Sequence, residues 1–213
     1  MSQLGEVLLL LVLLTCFAVL ATERLSTSIR IMAAQGVLLG LLPIWTSPGP
    51  SLHLFVLVGG TLVIKAYVLP RVLQWAIRES AVRREVQPAL GYGGSVLLGV
   101  AAVAAAFTLA ARLPRFSHAT EPLLAPVSLA TLMMGLIVLT TRRKALSQVI
   151  GYLMLENGIF LFGLTLAHAL PLLVETGVLL DVFVGVFIMA LVVFQIHREL
   201  ESLDSRHLAE LHD

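Results

Sequence analysis

The chain has 213 residues, 58% of them hydrophobic and 13% charged, with a formal net charge of +1 and a mean hydropathy of +0.97. Soluble domains carry about 25% charged residues, so a bilayer is the solvent this composition fits. The near-zero charge, with no basic stretch interleaved with aromatics, excludes nucleic acid as a partner. The single cysteine, Cys16, lies inside an apolar run and offers no disulfide, no CxxC pair and no thiolate set for zinc or an iron–sulfur cluster. It reads as a small buried hydrophobe.

A helix needs about 20 apolar residues to cross about 30 Å of hydrocarbon. Seven runs meet that length, near residues 4–21, 28–46, 52–73, 92–111, 123–140, 145–169 and 172–196. The first is expected to stay as a membrane helix: its flank "MSQLGE" has no positive charge and no cleavage site follows it. The breaks contain "SPGPS", "RESAVRREVQP", "RLPRFSHATEP" and "TRRK", rich in the Pro, Gly and charge that end helices. Trp45, Trp75 and Tyr92 fit interfacial anchoring. Eleven Lys and Arg fall on the side of the loops after spans one, three and five and of the C-terminal tail, against Arg112 and Arg115 opposite. The positive-inside rule then puts the N-terminus outside and the C-terminus in the cytoplasm. The expected fold is an all-α polytopic membrane protein.

Four ionisable groups fall within these runs: Lys65, Glu156, Glu175 and Asp181. A charge near the centre of a membrane helix costs at least about 2.5–3.5 kcal/mol on insertion scales, so it faces protein or water and carries a functional reading by default. Glu156 lies roughly 18 Å from the start of span six, Asp181 roughly 14 Å into span seven and Lys65 roughly 20 Å into span three, all central depths. Glu175 is three residues into its span, within reach of interfacial water. Two carboxylates at one depth suit proton movement or electrostatic coupling to a neighbour; static hydrogen bonds that hold helices together are the alternative. Lys65 either tunes those acids or pairs with one of them.

A weak internal repeat accompanies the charges. "MAAQGVLLGLLPIW" compares with "LMLENGIFLFGLTL", setting Gln35-Gly36 on Asn157-Gly158, and "LVGGTLVIKAYV" compares with "LVETGVLLDVFV". This divides the chain into a three-helix unit (1–90), a linking helix (91–121), a second three-helix unit (122–200) and a tail (201–213), the two units parallel in the membrane by crossing parity.

The segments "IGYLMLENGIFLFG" and "LVETGVLLDVFVGVFIMALVVFQIHRE" and the closing "LDS" resemble hydrogenase-4 component E, a membrane subunit of formate hydrogenlyase-type and other group 4 [NiFe]-hydrogenase complexes. The last three spans are in turn similar to the K subunit of respiratory complex I and the C subunit of multisubunit cation/proton antiporters. In the K-type family two membrane carboxylates belong to a polar axis. Glu156 lies on the helix of the first, about one turn from its place, and Asp181, with Gly185 four residues on, corresponds to the second. The resemblance implies a non-redox subunit of a bacterial inner-membrane assembly that couples electron transfer to proton or sodium movement. Glu156, Asp181, Lys65 and Glu175 would be its relay or coupling groups, with Gln35 and Asn157 in support. It implies no cofactor and no catalytic centre in this chain; the nickel–iron and iron–sulfur centres would belong to cytoplasmic partner subunits, with antiporter-like subunits alongside in the bilayer. An antiporter subunit without a redox partner and a purely structural anchor are the alternatives.

Overall fold

A computed structural model of the protein describes residues 3–46, 52–79, 91–112 and 122–166, and all regular structure among them is helical. Helices α1 (Gln3–Ala21) and α2 (Leu25–Thr46) are followed by a broken rod: α3 (Leu52–Thr61), a π-helical segment (Leu62–Val68) and α4 (Leu69–Glu79). Then come α5 (Tyr92–Arg112), α6 (Leu124–Thr141) and α7 (Ala145–Leu166). Five of these, α1, α2, α5, α6 and α7, are long and apolar enough to cross a membrane. The run at 172–196 with Glu175 and Asp181, and the tail from 201, lie outside the described residues.

Two boundaries differ from the hydropathy reading. Helix α2 begins at Leu25 rather than at 28, and the third run does not end at 73 but continues as helix to Glu79. In α4, Leu69 and Leu73 are buried while Arg71, Trp75 and Arg78 are exposed. An amphipathic extension of that kind leaves the apolar window without leaving the helix. The π-helical segment ends directly before it, with the Leu69 N–H bonded to the carbonyl of Ile64, five residues back. Pro70 follows; it has no N–H to donate and its ring crowds the carbonyl four residues earlier, a conflict that a widened turn relieves.

The helices assemble as two hairpins side by side. The three-residue turns 22–24 and 142–144 close α1 on α2 and α6 on α7. Along α1, Cys16 meets Thr131 and Leu20 meets Arg142. Along α2, Ser28 shares a cavity with Ile150 and Gln35 meets Asn157. Sequence numbers rise together in both pairs, so α1 runs parallel to α6 and α2 to α7. Helix α5 packs on α1, where Gly99 lies under Phe17 and Leu20. The broken rod packs on α2 through Gly36 and Gly40.

Glycine sets the helix spacing. Lipid tails are as apolar as leucine, so membrane helices associate through close packing and polar contacts rather than by leaving the solvent. A Cβ at Gly158 of α7 would stand 2.6 Å from the backbone nitrogen of Leu132 in α6, and one at Gly151 would stand 2.5 Å from that of Leu139. Gly158→Ala should therefore destabilise the protein by about 1–3 kcal/mol through overpacking, seen as a lower thermal midpoint in detergent. Gly59→Ala is the control, because among the described residues a Cβ there meets nothing within 4 Å and its midpoint should not fall.

Candidate functional site

Polar side chains meet at mid-height of the bundle. Glu156 and Asn157 are the twelfth and thirteenth of the 22 residues of α7, Gln35 is the eleventh of the 22 of α2, and Lys65 lies in the π-helical segment. All four are at most 4% exposed. Lys65 Nζ donates to Glu156 Oε1 at 2.7 Å and to Asn157 Oδ1 at 2.8 Å, and stands 5.5 Å from the centroid of the Phe160 ring. Asn157 Nδ2 donates to Gln35 Oε1 at 3.0 Å, and Gln35 Nε2 to Cys16 Sγ at 3.2 Å. Cys16 Sγ in turn lies 3.9 Å from Thr131 Oγ1, whose hydroxyl donates to the Val127 carbonyl at 2.8 Å. One polar line thus crosses the bundle from the broken rod through α7 and α2 to α1 and α6.

The local sequence explains how a lysine reaches this depth. Gly36, beside Gln35, lets the Lys65 backbone lie against α2: a Cβ there would stand 2.8 Å from Lys65 Cβ and 3.0 Å from its carbonyl carbon. Phe160, one turn after Glu156, supplies a ring face to the same ammonium, an attraction that strengthens when water is excluded.

Removing two ions from water costs several kcal/mol each, which is recovered only when the geometry is close and the remaining polar atoms are bonded. Here one atom is not. Glu156 Oε2 is buried without a hydrogen-bond partner. Beside it is a cavity of about 20 Å³ lined by Lys65, Glu156, Asn157, Ile29, Met32 and Leu153, among others. That volume admits about one water molecule, and three of the lining side chains can hold one.

Of the residues singled out in the sequence, Lys65, Glu156, Asn157 and Gln35 are brought into direct contact, while Glu175 and Asp181 lie outside the described residues. Cys16 is buried as expected, yet it is also a hydrogen-bonding member of the line. Thr131 and Phe160 carried no signal in the sequence, since a threonine and a phenylalanine in an apolar helix look like any others. Arg142, counted only as a loop charge, is 5% exposed. Its guanidinium lies 4.9 Å from the centroid of the Tyr92 ring, so that tyrosine does more than anchor at an interface. Among the described residues no three His, Cys, Asp or Glu side chains come together as a metal site would require.

Fold and site define a polytopic helical membrane protein with an ion pair buried at the middle of its bundle. The chain belongs to the same family as the uncharacterized protein Rv0085 of Mycobacterium tuberculosis, to which it is 30% identical over 187 residues, 87% of this chain and 85% of that one. It is more distantly similar to hydrogenase-4 component E of Escherichia coli, at 26% identity over 206 residues and 94% of each chain, and equally to that of Shigella flexneri. No family model matches the sequence. No solved structure matches it either.

Lys65→Met strands the Glu156 carboxylate and should cost about 3–5 kcal/mol. Adding Glu156→Gln should restore a large part of that loss, since the pair then has no charge left to desolvate. Thermal unfolding of the two single variants and the double variant in one detergent measures the coupling; additive losses would mean that the pair does not act as a unit.

Proposed function

We propose that the protein is a non-redox membrane subunit of a hydrogenase-type complex, in which the Lys65–Glu156 pair takes part in moving protons or sodium ions. The membership rests on the similarity to hydrogenase-4 component E over 94% of both chains and on the apolar helices. The observation that carries the role is the free Glu156 Oε2 beside a small cavity that Lys65, Glu156 and Asn157 share with six apolar side chains, with Oε1 held by Lys65 at 2.7 Å.

In this reading the carboxylate has one oxygen committed to the ammonium and one open to an arriving proton. A proton placed on Oε2 neutralises Glu156, weakens its bond to Lys65 and leaves the ammonium with Asn157 and the Phe160 ring. Two unit charges at this separation interact by on the order of 5 kcal/mol at an effective dielectric near 20, so the loss of one charge is felt strongly by the other and by any charge near it. Asn157 and Gln35 hold the lysine's approach through both states, because their amide pairing does not depend on protonation. Asp181 and Glu175 would extend the polar line into the next span, and the redox centres would reside in partner subunits on the cytoplasmic side. The two parallel hairpins, with Gln35 and Asn157 facing one another, support a duplicated three-helix unit.

The competing role is purely structural, with the pair as glue between the rod and α7. Glu156→Gln and Glu156→Asp separate the two. In the coupling role, Glu156→Gln leaves the complex assembled and abolishes substrate-driven acidification in inverted membrane vesicles, while Glu156→Asp restores part of it. Full acidification by an assembled Glu156→Gln complex would refute the coupling role.

A further inference from the structure

The broken rod turns one face away from the bundle. Val63, Tyr67, Val68 and Trp75 are 56%, 53%, 40% and 48% exposed, and Arg71 and Arg78 are exposed with them. At 3.6 residues per turn, Arg71, Trp75 and Arg78 fall within about 60° of arc, while the buried Leu69 and Leu73 lie on the opposite side of α4. The Arg71 guanidinium stands 4.0 Å from the centroid of the Tyr67 ring.

Depth makes that contact unusual. Gly36, twelfth of the 22 residues of α2, lies against Lys65, and Gly40 lies against Leu62, so the rod runs antiparallel to α2 and Lys65 marks the middle of the bundle. Tyr67 then stands about 3 Å beyond the middle, Arg71 about 9 Å and Trp75 about 15 Å, at the edge of a hydrocarbon layer about 30 Å thick. An arginine at such a depth ordinarily extends its head toward the interface. Arg71 does the reverse, its guanidinium turned back onto a ring four residues nearer the middle. Among the described residues no carboxylate pairs with it. A cation–π contact returns only part of what an unbalanced arginine costs in hydrocarbon, and lipid headgroups begin only about 15 Å from the middle, too shallow to meet a guanidinium held on Tyr67.

We infer that Tyr67, Val68 and Arg71 form the docking surface for a helix of another membrane subunit, one that carries a carboxylate near mid-depth for Arg71 to receive. The planar guanidinium offers a carboxylate two parallel N–H groups, and the Tyr67 ring fixes its plane. Tyr, Trp and Arg carry most of the binding energy at protein contacts, and all three stand on this outward face. The inference rests on the proposed membership in a complex and adds the surface through which a neighbour is held. On its other side α4, through Leu69, Pro70 and Leu73, walls the cavity beside Glu156, so that neighbour is one helix, about 10 Å, from the cavity.

The test uses the full complex in mild detergent. With photoreactive benzoylphenylalanine in place of Val68, the adduct should map to another membrane subunit, within two helical turns of an Asp or Glu inside one of its spans. Arg71→Gln should weaken retention of that subunit at least about tenfold by native mass spectrometry and leave the thermal midpoint of the isolated chain unchanged, since Arg71 is exposed and stacks on Tyr67 alone; Arg71→Lys should restore part of the retention. Arg71→Glu should release the subunit, and replacing the mapped acid by Arg should bring it back. An adduct on lipid or on a copy of this chain, residues 172–196 included, would overturn the inference, as would undiminished retention in Arg71→Gln while the hydrogenase-type complex stays whole. Capture of an acid-bearing membrane subunit from an assembly without hydrogenase subunits would support the surface and refute the hydrogenase reading. Should Arg71→Gln fail to fold, the adduct decides.

Discussion

Two opposite charges held 2.7 Å apart at the middle of a membrane bundle impose a condition on everything around them. Glu156 keeps its charge at this depth because Lys65 stands against it, and a carboxylate stripped of that partner would be costly to bury. The rod that carries Lys65 must therefore stay docked on α2 at the height of Glu156, and α7 must present Glu156 and Asn157 to that rod rather than to lipid. The register of the rod, α2 and α7 is tied to one contact. Buried polar groups serve as register devices in soluble helical assemblies as well.

That contact is made possible by what surrounds it. Gly36 removes the side chain that would hold the rod away from α2, and Gly135, Gly151 and Gly158 remove those that would separate α6 from α7. The π-helical turn before Pro70 carries the lysine. Irregular helix of this kind is frequent at functional sites, because it places one side chain at an angle that a regular helix would not. The result is a polar interior line through the bundle, in which Glu156 Oε2, the atom beside the cavity, is left without a hydrogen-bond partner.

The bundle has a second polar level at the end where Arg142 lies. Its guanidinium ties the end of α6 to the end of α1 and to the first residue of α5, so the linking helix is held by a charge as well as by packing. The mid-height level ties the rod to α7 and α2. The two lie at different heights of the same bundle and use no residue in common.

The sequence by itself determined that the chain crosses a membrane and roughly where, because hydrocarbon thickness fixes the length of each apolar run and Pro, Gly and charge mark the breaks. It also flagged Lys65 and Glu156 as the groups that need an explanation, since the cost of burying a charge is legible without coordinates. Gln35 and Asn157 were legible through their likeness in the two halves. What only the tertiary structure decided is who meets whom. Lys65 and Glu156 are 91 positions apart, and Arg142 and Leu20 are 122 apart. Such pairings depend on the approach of helices set by glycines and on a local change of helical register, and hydropathy averages over both. For the same reason Arg142 looked like one more loop charge: a count of charges by loop records the side of the membrane, while burial depends on which helix ends converge upon the residue.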